Sequence, residues 1–129
     1  MTKEHYNHLT NLIINGAIEV HKILGPGLLE SVYEVCLLEE LRNRGLQADN
    51  QVNLPFFYKG KHLDKNFTVD ILVENEIILE LKAVEKTLPV HEAQLVTYLK
   101  LAQKKLGLLI NFNVVLLKEG IHRKINGYL

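Results

Sequence analysis

A chain of 129 residues, 47% hydrophobic and 23% charged, is long enough to bury one real core and has the composition of an ordinary soluble domain. Fifteen basic residues balance fifteen acidic ones, which excludes an overall positive footprint for nucleic acid but not a local basic surface that offsets an acidic site. No apolar run approaches about 18 residues, the segment Met1–Tyr6 lacks a signal-peptide core, and a lone Cys36 leaves no internal disulfide. Together these predict one domain over residues 1–129 in a reducing cytoplasm, with no membrane partner.

Residues 4–24 predict a helix with Leu12, Ile13, Ala17, Val20 and Leu24 on one stripe. Gly25-Pro26-Gly27 ends it in a rigid turn, and its proline argues against a phosphate cradle. A second helix runs from Leu28 to Arg44, with Leu29, Val32, Tyr33, Cys36, Leu37, Glu40 and Leu41 on its apolar period and Gly45 as its stop. Gln51 to Tyr58 reads as a strand that Pro55 marks as an edge or a bulge. After a Lys59-Gly60-Lys61 turn, strands follow over Phe67 to Val73 and Ile77 to Val84, separated by Glu74-Asn75-Glu76. Pro89 opens a helix reaching Lys105, striped by Leu95, Leu99, Ala102 and Leu106, with Lys100 and Lys104 facing water and Gly107 as its end. Leu108 to Phe112 reads as a strand covered on both faces, and Val114 to Leu117 as a further short one. This order predicts an α/β (α+β) sandwich: a central mixed sheet with helices on both faces. No repeat, low-complexity tract or linker interrupts it.

The chemistry concentrates in the hairpin Asp70 to Lys82. Strand alternation places Asp70, Glu80 and Lys82 on one face. A turn centred on Asn75 sets Asp70 across from Glu80, with Cβ atoms about 4.5–5.5 Å apart. Like charges repel at that spacing, so a cation between the carboxylates would explain the pair, and hard ions such as Mg²⁺ prefer oxygen ligands. The bland alternatives are a strand-end turn residue for Asp70, a solvent-facing position for Glu80, and simple ion pairing for Lys82.

Other residues divide between site and scaffold. Glu30 and Glu34 share a helix face four residues apart, either as an acidic N-terminal turn or with Glu30 reaching a metal or its water. Gln94 and Tyr98 form a second such pair beside the Leu95 stripe. Tyr33 and Cys36 read as core. Glu19 and His21 sit on the first helix; the lone His21 reads as a polar surface residue, and no second histidine at metal-ligand spacing supports a zinc site. No Walker, Rossmann or nucleophile-elbow motif is present.

Element order and hairpin together resemble the PD-(D/E)XK nuclease superfamily, whose signature is an Asp on one strand and Glu-x-Lys on the next. Here Asp70 and Glu80-Leu81-Lys82 match it, and Gln94 stands where such proteins often carry a helical Gln. Gly27-Leu28-Leu29-Glu30-Ser31-Val32-Tyr33-Glu34-Val35-Cys36-Leu37 further resembles the GxxExxYExxL group of that superfamily, as do Glu19–Gly27, Gln94–Lys100 and Gly107–Phe112. One departure is Thr68, where the superfamily often has Arg.

The resemblance implies a metal-dependent nuclease acting on DNA or RNA. Asp70, Glu80, the Leu81 carbonyl and Glu30 would hold Mg²⁺ or Mn²⁺. Asp70, Glu80, Lys82 and Gln94 would carry the chemistry. Lys59, Lys61 and Tyr98 are expected to meet the substrate, with Lys65, Lys86, Arg123 and Lys124 as further cations and Phe56, Phe57, Tyr58 and Phe67 as stacking candidates. Two other readings stay open: a non-catalytic module of the same fold that binds protein or nucleic acid, and a small phosphohydrolase. A homodimer or partner protein completing the surface is a further expectation.

Overall fold

The computed structural model describes residues 1–129. Helix α1 spans Lys3–Leu24 and α2 Glu30–Asn43; strands β1 (Ala48–Tyr58), β2 (Lys61–Val73) and β3 (Ile77–Lys82) follow. Then come α3 (Pro89–Ala102), β4 (Leu106–Asn111), a 3₁₀ turn over Leu117–Gly120, and β5 (Ile121–Ile125). The strands form one sheet in the order β1-β2-β3-β4-β5. Only β3 and β4 run parallel, joined through α3; every other neighbour is antiparallel. Helices α1 and α2 cover one face and α3 the other, which is the expected mixed-sheet sandwich.

The helical face carries most of the core. Ile13, Ala17 and Val20 of α1 and Tyr33, Leu37 and Leu41 of α2 pack on Ile71, Val73, Leu79, Leu81, Leu108 and Ile110. Gly16 lets α1 and α2 approach: a Cβ there would lie 3.3 Å from Leu41 Cδ2. The opposite face is thinner, with Leu95 and Leu99 of α3 on Val69, Leu72, Ile78 and Leu109.

Several expectations need correction. Helix α3 stops at Ala102, where Gln103 adopts a left-handed backbone (φ 56°), and Gly107 is not its end but lies inside β4. There it makes room for α3, since a Cβ would sit 2.8 Å from Leu95 Cδ1 and 3.1 Å from the Ile78 carbonyl oxygen. Val114 to Leu117 forms no strand; the last strand is β5, pairing with β4. The buried Asn111 side chain accepts the Asn113 N–H at 3.1 Å and turns the chain away at that point. Leu29 and Val32 of the expected α2 period are 75% and 38% exposed. Pro55 does lie on an edge strand, with a register irregularity between Pro55 and Phe57.

Candidate functional site

The hairpin between β2 and β3 closes through left-handed backbones at Glu74 and Asn75 (φ 53° and 55°), and Glu76 N–H donates to the Val73 carbonyl at 2.9 Å. Paired turn residues with positive φ match the natural twist of the strands they join. The register is Val73↔Ile77, Leu72↔Ile78 and Ile71↔Leu79, which is the spacing expected for a turn centred on Asn75. The ladder stops at Ile71.

Beyond that point the strands part and side chains complete the connection. Asp70 N–H donates to Glu80 Oε2 at 2.9 Å, and Leu81 N–H donates to Asp70 Oδ2 at 2.8 Å. The alternation of β1 and β2 also breaks there. Ala48, Ile71 and Val73 join the α1–α2 core, whereas Val52, Leu54, Phe67 and Val69 face α3. Gln51, opposite the break, is left-handed (φ 49°). The carboxylates therefore meet at a divergence of strands, not as the cross-strand pair that strict alternation predicts.

The pair is electrostatically uncomfortable. Glu80 is only 8% exposed. Burial, and then the Asp70 charge, push its carboxyl up to about 8, against the opposing Asp70 N–H and Lys82. Glu30 of α2 is also raised, by burial first and then by Asp70, with Lys82 opposing. From the other layer, the Tyr98 hydroxyl is raised by burial and then by Glu80 and Asp70. Both helical layers thus reach the same negative focus. Lys82 is near enough to act on Glu30 and Glu80 yet forms no ion pair within 4 Å.

Tyr33 positions α2. Its hydroxyl donates to the Gly25 carbonyl at 2.7 Å and accepts the Leu28 N–H at 3.1 Å, while its ring stacks on Phe112 at 4.5 Å. That anchors the Gly25-Pro26-Gly27 turn ahead of α2, whose Glu30 lies near enough to Asp70 and Lys82 to feel both and whose Glu34 accepts from Asn50 and Gln51 of β1. Gln51 escaped the sequence reading. Its Nε2 donates to Glu34 Oε1 at 2.7 Å and lies 3.4 Å from Asp70 Oδ1, so it links α2 to the carboxylate pair. No motif signals it, because its role depends on a left-handed backbone that Gln does not favour.

Asp70, Glu80, Leu81, Lys82, Glu30 and Tyr98 come together. Gln94 is exposed one turn before Tyr98, without a hydrogen bond, on the same face of α3. Lys59 and Lys61 do not join them. They sit at the β1–β2 tip, and from Lys61 to Asp70 the strand runs about 30 Å at ~3.3 Å per residue. Cys36 is half-buried on α2, and His21 donates through Nε2 to the Val114 carbonyl at 2.7 Å.

No group of three His, Cys, Asp or Glu side chains converges as a ready-made ligand cluster. The residues present still fit a hard cation. Asp70 and Glu80 crowd two carboxyl groups that do not ionise comfortably together, a cation between them would let Glu80 give up its proton, all donors are oxygens, and Mg²⁺ is commonly held by one or two carboxylates with water completing its shell. The four surface cavities lie elsewhere; none is lined by Asp70 or Glu80.

Against known proteins, the family model of the PD-(D/E)XK nuclease superfamily matches residues 7–124. No curated protein matches the chain. Among solved structures, the crystal structure of SSO0001 superposes with a TM-score of 0.52 at 23% identity, a likeness that shows the fold. The match covers 98% of this chain and 60% of that one, so the chain spans well under the full length of that protein. No helix is long and apolar enough to cross a membrane.

Proposed function

The chain belongs to the PD-(D/E)XK nuclease superfamily, and on that premise we propose that it is a divalent-metal nuclease hydrolysing phosphodiester bonds at Asp70, Glu80 and Lys82. We place it, more finely, in the GxxExxYExxL group, on Gly27, Glu30, Tyr33, Glu34 and Leu37. The observation that carries the proposal is the pair of side-chain bonds that tie β2 to β3 where the strands part, Asp70 N–H to the Glu80 carboxyl and Leu81 N–H to the Asp70 carboxylate, beside an unpaired Lys82.

Asp70, Glu80 and the Leu81 carbonyl would hold Mg²⁺ or Mn²⁺, with Glu30 contributing directly or through water. The ion, when bound, supplies a water of lowered pKa and polarises the phosphate. Lys82 donates to the negative charge that develops on the phosphate oxygens, or orients the attacking water. Tyr98 and Gln94 lie on the α3 side, where their donors suit the nucleotide backbone. Carboxylates that lie outside every cavity suit a polymer better than a small phosphate ester enclosed in a pocket.

A non-catalytic module is the second reading, favoured by the neutral overall charge. Calorimetric titration with Mn²⁺ separates the two. The nuclease reading expects saturable binding that Asp70→Ala weakens at least tenfold. Equal affinity in wild type and variant would remove the metal from this site.

A further inference from the structure

The β1–β2 hairpin outruns the sheet. Strand β3 pairs with β2 only over residues 71–73, so Lys61–Val69 has β1 as its sole strand partner. The base of this ribbon is braced on α3, with the Phe67 and Tyr98 rings 5.0 Å apart. Further out it is two-stranded, which is marginal in water without such a brace.

Its tip turns through left-handed Lys59 and Gly60. Lys59, Lys61 and Lys65 are exposed there and none is in an ion pair. Asp64 is the one acidic residue between Asn53 and Phe67, so with neutral His62 the ribbon carries an excess of two positive charges. The whole chain is neutral, so the remainder carries two negative ones. Phe57 and Tyr58 are 42% and 56% exposed; Phe57 leans on His62 (5.4 Å), and Lys59 Nζ lies 5.7 Å from the Tyr58 ring.

This division of charge has a consequence for any phosphate polymer. The acidic cluster of Asp70, Glu80 and Glu30 offers a phosphate backbone no cation but Lys82, so most of the attraction must come from elsewhere on the surface. We propose that the β1–β2 ribbon is a duplex-DNA-binding arm that enters the major groove about one helical turn from the phosphate that lies at the Asp70, Glu80 and Lys82 cluster. The inference rests on the nuclease reading above and names its substrate class.

Two lengths support it. A two-stranded ribbon fits the B-DNA major groove, which is about 12 Å wide, whereas the major groove of duplex RNA is too deep and narrow for side chains to read. The roughly 30 Å of strand between tip and site approaches the ~34–36 Å turn of DNA, so both meet the same side of one duplex. Contacts of lysine with phosphate position the duplex without reading its sequence.

The test is fluorescence anisotropy in EDTA with a labelled DNA duplex, its single strand and the matching RNA duplex, between about 50 and 200 mM salt. Wild type should prefer the DNA duplex. Lys59→Gln/Lys61→Gln/Lys65→Gln should bind it at least tenfold more weakly and flatten the slope of log affinity on log salt by about 2 to 3, at ~0.9 per phosphate contact. Lys3→Gln/Lys22→Gln/Lys118→Gln removes the same charge off the ribbon and should bind within twofold of wild type. If circular dichroism shows the ribbon variant unfolded, Lys61→Gln alone carries the test, with a slope change of about 1.

Equal losses in both triple variants, preference for single strand or RNA, or no salt-dependent binding by wild type would overturn the arm. Cleavage assays and Mn²⁺ titration on the same proteins keep the two readings apart. Ribbon-dependent binding without metal uptake or cleavage retains the arm and removes the nuclease; cleavage with ribbon-independent binding does the reverse.

Discussion

Asp70 and Glu80 supply with side chains the contacts that the β2–β3 ladder lacks past Ile71. The arrangement forces a largely buried carboxyl beside another, and Glu80 responds by holding its proton up to about 8. An acid whose folded pKa lies above its unfolded value, here about 4.5, stabilises the fold below the unfolded value and loses that contribution as pH rises through the folded one. The metal-free protein should therefore melt at progressively lower temperature between pH 5 and 8, roughly the interval between the two values. Glu80→Gln should flatten that decline, and Asp70→Asn should reduce it by removing the second cause. Saturating Mn²⁺ should raise the melting temperature at pH 8 in wild type and not in Asp70→Ala, by mass action on the folded state. The carboxylate pair is legible in the sequence because acidic residues interrupt apolar strands. Gln51 is not, because nothing about a glutamine announces a left-handed backbone.

At the scale of elements, the site depends on how tightly α3 and the end of β4 are fixed. Gly107 has no room for a methyl group between Leu95 and the Ile78 carbonyl. Gly107→Ala should cost about 1–3 kcal/mol by overpacking, measured by urea denaturation. Asn111 clamps the exit of β3: its Nδ2 donates to the Val84 carbonyl at 2.9 Å, and its Oδ1 accepts the Val84 and Asn113 N–H groups at 3.1 Å each. Asn111→Ala leaves those groups unpaired and should cost about 3 kcal/mol, with loss of order near Lys82. The same two residues explain what the sequence concealed. A glycine between apolar residues reads as a helix stop unless the helix above it is known. An asparagine ending an apolar run does not reveal that it bends the chain, so β5 was hidden behind it. Its Ile-His-Arg-Lys-Ile pattern is also too polar to advertise an edge strand. By contrast β3 was readable, since strong β-formers flanked a polar turn.

Over the whole molecule, the site and the ribbon tip carry opposite local charge. Glu30, Asp70 and Glu80 meet where β2 and β3 part, and Lys59, Lys61 and Lys65 stand exposed on the ribbon, two local clusters that a net charge of zero conceals. The sequence exposed the two lysines flanking Gly60 but not their distance from Asp70. That distance follows from β2 running out to Lys61, well before the Phe67 start that its apolar pattern suggests. The proposed nuclease activity depends on Asp70, Glu80 and Lys82 forming a working hydrolytic site. Its most direct test is Mn²⁺-dependent cleavage of a panel of single- and double-stranded DNA and RNA, with Lys82→Ala alongside wild type. Wild type should cleave duplex DNA, and the rate should fall at least a hundredfold in the variant as a transition-state charge stabiliser is removed, roughly the loss seen when such a donor is deleted. Equal cleavage by both proteins, or none by wild type with Mn²⁺ bound, would contradict it.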